Sequence, residues 1–200
     1  MAHLVENQIL RWAPPSSDVS GVGGILALAF GYREDQNGYV TPGPVNHQLA
    51  NLTVNLWRQA RCPVYAQWEI AKAIGPRIPS NHVKPIYPAV DTASGVKKYL
   101  STYGVIAQVK KLVKRPASLG KVLIVAHRDH ALRCVRTARR LGFKNSFTPP
   151  VGQLPVNYDP KSAQPWTRNR LAYILHDILS RLEAYRSEVI GSSSPSRQLG

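Results

Sequence analysis

The sequence predicts an α/β sandwich built on a largely parallel sheet. Two short runs, Gly24–Phe30 (GILALAF) and Lys121–Ala126 (KVLIVA), are apolar along nearly their whole length. A strand of that kind is buried on both faces, as in a parallel sheet covered by helices. Stretches with apolar residues at helical spacing follow such runs, and the alternation is that of βαβ units. The junctions are also abrupt: Phe30 gives way to Gly31-Tyr32-Arg33-Glu34, and Ala126 to His127-Arg128-Asp129-His130.

Taken in order, residues 1–20 hold a short amphipathic piece and then Pro14-Pro15-Ser16-Ser17, a loop signal. Gly24–Phe30 is the first buried strand, ending at Gly31. Gln36–Pro44 is turn-rich. Val45–Ala60 places Val45, Leu49, Leu52, Leu56, Trp57 and Ala60 on one helical stripe. Pro63–Gln67 is a second short strand, and Ile70–Ile74 a brief helix. Four prolines between residues 75 and 93 weaken any strand there, yet His82–Tyr87 remains a candidate. A helix is expected from about Ser101 to Val113, with Ser101 or Thr102 as N-cap or an earlier start near Ser94. After the strand Lys121–Ala126, the residues Ala131, Leu132, Val135, Ala138 and Leu141 recur at helical spacing. Gly142 suits the position just past that helix. Ser146–Val151 is a poor strand limited by Pro149 and Pro150, and 152–165 reads as loop. Trp166–Ile190 reads as a long helix with Leu171, Ile174, Leu175, Ile178, Leu182 and Tyr185 on one side.

Two hundred residues allow one domain with a sizeable core, and 44% hydrophobic against 18% charged residues suits a globular chain. The expected organisation is a single α/β domain over residues 1–190 and a disordered tail over 191–200 (GSSSPSRQLG). No stretch approaches the roughly 20 apolar residues of a membrane span. The N-terminus carries Glu6 and lacks the basic-then-apolar order of a secretion signal, so a cytoplasmic location is expected. Cys62 and Cys134 each lie beside apolar segments, which favours buried free thiols over a disulfide. Neither C-x-x-C nor H-E-x-x-H occurs, so no metal site is expected. Gly21, Gly23 and Gly24 lie before or at the start of the first strand rather than after it, so they form no dinucleotide-binding fingerprint. A Walker loop and a G-x-S-x-G elbow are missing too, and no nucleophile can be named.

The net charge of +15 favours an anionic ligand, nucleic acid or an acidic partner without choosing among them. Local clusters occur at Lys97-Lys98, Lys110-Lys111-Lys114-Arg115 and Arg136-Arg139-Arg140, each of which also fits a solvated helix face.

In open parallel sheets ligands sit outside the carboxyl ends of strands, where the next helix begins. His127, His130 and Arg133 fall at such a junction. His130 and Arg133 are three apart and share a helix face. Arg133 can grip a phosphate or carboxylate with paired N–H groups, or pair with Asp129 on a wet face. His130 can donate to the same anion or move a proton. His127 can line a pocket or cap the turn. Trp68 can contact a ring or belong to the core. Glu69 can act as a base, or simply stabilise a helix N-terminus.

The order of a strand ending in Gly31, a helix, a short strand followed by Glu69, a Ser-Thr helix start and the segment Val125-Ala126-His127-Arg128-Asp129-His130-Ala131-Leu132-Arg133 resembles the ElyC/SanA/YdcF-like family of bacterial α/β proteins. By that resemblance His130, Arg133 and Glu69 occupy the family's His, Arg and Glu. Ser101 and Thr102 match its third motif loosely, Val105 stands where Asn is usual, and Gly31 is what remains of a Gly pair. The resemblance implies a Rossmann-like three-layer sandwich and a pocket at the strand ends. It also implies a ligand such as S-adenosylmethionine; a nucleotide is the other anionic compound that the junction suits.

The leading functional expectation is therefore an enzyme or binding protein for an anionic small molecule. His130 and Glu69 would do acid–base work, and Arg133 and the helix start would hold the anion, beside His127, Gly31, Ser101, Thr102 and Trp68. A nucleic-acid binder is the second reading. The charge supports it, but no RRM, HTH, KH or zinc-finger signature appears. A non-catalytic partner protein is the third.

Overall fold

The computed structural model describes residues 13–88 and 100–192. Strand β1 (Val22–Ala27) is followed by a small antiparallel hairpin, β2 (Arg33–Glu34) and β3 (Val40–Thr41), and by helix α1 (Pro44–Ala60). Then come β4 (Val64–Gln67), α2 (Trp68–Ile74), β5 (Val83–Ile86), α3 (Thr102–Val113), β6 (Lys121–Val125), α4 (Arg128–Arg140), β7 (Ser146–Phe147) and α5 (Arg170–Ser192). The main sheet has five parallel strands in the order β5-β4-β1-β6-β7. Helices flank it, which gives the expected three-layer α/β sandwich. The two apolar runs are neighbours, as their composition predicts: Ile25 pairs with Leu123 and Ala27 with Val125.

Side chains alternate across the sheet and are buried on both sides. Ile25, Ala27, Val64, Ala66, Leu123 and Val125 pack against α1 and α2. Leu26, Leu28, Val122, Ile124 and Ala126 pack against α3 and α4 through Val105, Ile106, Ala131, Cys134, Val135 and Ala138. Pro85 is tolerated because β5 is an edge strand. Pro149 and Pro150 hold β7 to two residues. Cys62 and Cys134 are both buried and free.

The chain runs from β1 outward to β4 and β5, then crosses back to β6 and β7. The direction of winding therefore reverses between β1 and β6, and a crevice opens outside their carboxyl ends.

Two expectations are corrected. The first strand stops at Ala27 rather than Phe30: the Leu28 N–H still donates to the Val125 carbonyl at 2.9 Å, but β4 and β6 end there and the next two N–H groups lie beyond the ladder. Side-chain amides take over. Gln67 Oε1 accepts from the Ala29 N–H at 3.0 Å, and Asn46 Oδ1 accepts from the Phe30 N–H at 2.9 Å. The last helix starts at Arg170, after a separate 3-10 turn at Pro165–Thr167, and continues to Ser192, into the stretch expected to be a tail. The sequence leaves open which face of that helix packs, and among the described residues the row of leucines is the outer one. Leu171, Leu175, Leu179 and Leu182 are 70%, 58%, 62% and 42% exposed, while Tyr173, Asp177 and Arg181 face inward. Helix α5 packs on the polar strand-end junction rather than on the flat of the sheet, so its inner line is polar. The amphipathic piece before residue 13, the Ser94 start, Lys97-Lys98 and residues 193–200 lie outside the described residues.

Candidate functional site

A cavity of about 330 Å³ opens at the crevice between β1 and β6. Its walls come from five places. The segment after β1 gives Leu28 to Gly31, the end of β4 gives Gln67, and the start of α3 gives Leu100 to Thr102. Helix α4 gives His130 and Arg133, and the segment from Gln164 into α5 gives Trp166, Tyr173 and His176 among others. Among the described residues no Asp or Glu lines it.

The start of α4 is fixed by His127. Its Nδ1 accepts from the Asp129 N–H at 3.3 Å, so it caps the helix, and its ring stacks on Phe30 with centroids 4.0 Å apart. Burial lowers the His127 pKa to about 4, so it is neutral. Of its two sequence readings the structure supports the cap: His127 is buried and does not line the cavity.

His130 and Arg133 do share a face, and that face looks into the cavity. Arg133 does not pair with Asp129. Its Nε lies 2.6 Å from Asp177 Oδ1, and a terminal nitrogen donates to Tyr173 Oη at 3.3 Å. Asp129 is taken by others: Tyr158 donates to it at 2.8 Å, and Arg128 and Arg170 pair with it. Arg181 Nε sits 2.5 Å from Asp177 Oδ2. One buried carboxylate thus faces two guanidinium groups, and the triad keeps one net positive charge. Burial works against the Arg133 charge, but Tyr173 and Asp177 outweigh it and hold its pKa up.

The His130 ring has a defined tautomer. Its Nδ1 lies 3.2 Å from an Arg133 terminal nitrogen, which can only donate, and 2.8 Å from Tyr173 Oη. Nδ1 is therefore the acceptor and Nε2 carries the proton. Nε2 lies 3.5 Å from Thr102 Oγ1. Burial first, then the Arg133 charge, pushes the His130 pKa well below its ordinary value. The neutral form of the ring is therefore favoured.

On the opposite wall, Ser101 caps α3 by accepting from the Gly104 N–H at 3.2 Å. The first turn of that helix lies at the cavity rim, where a helix start favours an anion. Gly31, at φ +72°, is needed for close packing. A Cβ there would meet Ser162 Oγ and Thr167 Oγ1, each at 2.6 Å.

No family model, curated protein or solved structure matches this chain.

Of the residues singled out in the sequence, the cavity thus gathers Gly31, Ser101, Thr102, His130 and Arg133. It leaves three out. Glu69 is buried in the first turn of α2 and does not line it. Trp68 lines a separate cavity with Lys72, Ser80 and Tyr87. His127 lies beneath it. The sequence reading missed Tyr173, Asp177 and Arg181. Their signal was the four-residue spacing of three polar residues, which marks one helix face opposite the leucines. Asn46 was missed as well, and a polar residue inside an apolar helical stripe was its only trace.

Proposed function

We propose that the chain binds a small molecule through an anionic group held between Arg133 and the start of α3, in the manner the ElyC/SanA/YdcF-like resemblance implies. The observation that carries this reading is the sign of the cavity. Arg133 lines it, no carboxylate of the described residues does, and the Arg133–Asp177–Arg181 triad behind it is net positive. A nucleotide phosphate or the carboxylate of S-adenosylmethionine supplies the matching charge. Apolar Leu28, Phe30 and Leu100 with Trp166 suit the remainder of such a ligand. His130 Nε2–H donates to the ligand beside Thr102. Where a reaction follows, its part is to polarise an oxygen rather than to shuttle a proton, because its charged form is disfavoured. Glu69 has no place at the cavity and is not assigned a step.

The test is calorimetry with AMP, ATP and S-adenosylmethionine, alongside melting curves. Arg133→Lys keeps the charge but loses the fork. The lost charge-assisted hydrogen bond is worth on the order of 1.5–3 kcal/mol, so affinity should drop about ten- to a hundredfold. Thr102→Val should weaken binding less and leave melting unchanged. Absence of heat and of any melting shift with all three ligands, in well-folded wild-type protein, refutes the proposal.

A second reading keeps one specific observation. Lys110, Lys111, Lys114 and Arg115 are exposed at the end of α3, and no acid occurs between residues 92 and 128. This basic face lies at the amino ends of the strands, away from the cavity, and suits nonspecific contact with nucleic acid.

A further inference from the structure

A nucleotide and S-adenosylmethionine differ in charge, and the walls of the cavity discriminate between them. Arg133 is the one charged side chain among the described residues that line it. His130 and His176 add no charge, since burial and then the Arg133 guanidinium favour the neutral form of both rings. Behind Arg133 the Asp177 carboxylate is already shared with Arg181, so a positive surplus remains. A phosphate monoester brings a charge of about −1.5 to −2 to that surplus. S-adenosylmethionine brings one carboxylate together with a positive ammonium and a positive sulfonium. Neither cation meets a carboxylate among the described lining residues, and like charges placed side by side are repelled.

The uncharged part of the ligand has its own platform. The Trp166 indole stacks on the His176 imidazole, with centroids 4.9 Å apart and planes 18° from parallel. It lines the cavity and remains 36% exposed, whereas Trp57 belongs to the core and Trp68 lines the other cavity. An indole held in place with open surface suits a flat ring laid against it, and bases of every kind stack in this way. Tyr173 bridges the platform and the anion grip. Its ring lies 6.4 Å from that of His176, and its hydroxyl accepts from Arg133 at 3.3 Å. At about 330 Å³ the cavity is also at the small end of ligand sites, which span roughly 300–1,000 Å³, and so has room for one nucleotide unit. We infer that the ligand is a nucleoside monophosphate, with its phosphate on Arg133 and its base on Trp166. This rests on the anion-binding function proposed above and narrows it to one class of compound.

Calorimetry on the full chain with AMP, GMP, CMP, UMP, ribose 5-phosphate and S-adenosylmethionine tests it. At least one of the four nucleotides should bind about tenfold or more tightly than either S-adenosylmethionine or ribose 5-phosphate, which lacks a base. Trp166→Leu should weaken that nucleotide about five- to a hundredfold, and Trp166→Phe, which keeps a ring, should restore most of the loss. Should the leucine variant fail to fold, fluorescence gives a second measurement: the nucleotide should quench tryptophan emission in the wild type and leave it unchanged in Trp166→Phe. S-adenosylmethionine or ribose 5-phosphate binding as tightly as the best nucleotide overturns the assignment and leaves the anion site standing. So does a nucleotide affinity that Trp166→Leu does not change, or a quench that persists in Trp166→Phe. If none of the four nucleotides binds, the assignment falls, and the anion site falls with it only when ATP and S-adenosylmethionine are silent too.

Discussion

Two buried histidines make the strand-end junction sensitive to acid. An unfolded His127 takes up a proton near its ordinary value of 6.5, whereas the folded residue refuses it until about pH 4. Between these values the unfolded chain binds more protons, so stability falls as pH falls through that window. At about pH 5 the loss from His127 alone is roughly 2 kcal/mol. His130, shifted the same way, adds to it. Melting temperature should therefore decline steadily from neutral pH to about pH 5, and less steeply in His127→Asn, which keeps a capping oxygen or amide. A flat wild-type profile would contradict the buried neutral rings. At this scale the sequence was informative about which residues stand at the junction and poor about their partners. His130 and Arg133 were legible from their spacing after an apolar strand. That Arg133 pairs with Asp177, 44 positions later, was not, because a nearer acid, Asp129, satisfied the same pattern.

Helices and strands were read more securely than their ends. The run Lys121–Ala126 is apolar by composition and buried by position, and the helix over 128–140 has its stripe where its spacing puts it. Beyond Ala27 the apolar pattern continues although the strand does not. Hydropathy registers burial, and Leu28 to Phe30 are as buried as the strand itself. The final helix shows the converse. Its leucines form a proper stripe, but periodicity says that one face differs from the other, not which of them meets the protein. Gly31 joins two of these elements. With φ +72° and two hydroxyl oxygens 2.6 Å from its missing Cβ, Gly31→Ala should displace the 162–167 segment. Strain and overpacking together should cost about 2–4 kcal/mol in urea unfolding. A loss below about 0.5 kcal/mol would mean that the segment moves freely.

The charge of the whole molecule is distributed unevenly. Asp129 is the single acid between residues 92 and 158, a stretch that supplies α3, β6 and α4. Duplex DNA should bind there weakly and without sequence preference, with affinity falling steeply as salt rises, because scattered phosphate contacts release counterions and read no bases. A fluorescence anisotropy titration at several salt concentrations checks this. Submicromolar, sequence-selective binding at physiological salt would place the nucleic-acid reading first. Among the described residues no helix is long and apolar enough to cross a membrane.

The loop after β1 is tied down by two amides that belong to other elements, Gln67 at the end of β4 and Asn46 on α1. Asn46 also donates to the Gly31 carbonyl at 2.7 Å. Backbone ladders are indifferent to sequence, but side-chain ties are not. The floor of the cavity is therefore addressable one residue at a time. Exchanging either amide retunes the height of Phe30 and Gly31 while the strands beneath keep their pairing. A scaffold made this way separates what must stay constant from what can drift, and new ligand preferences can arise at the rim without refolding the sheet.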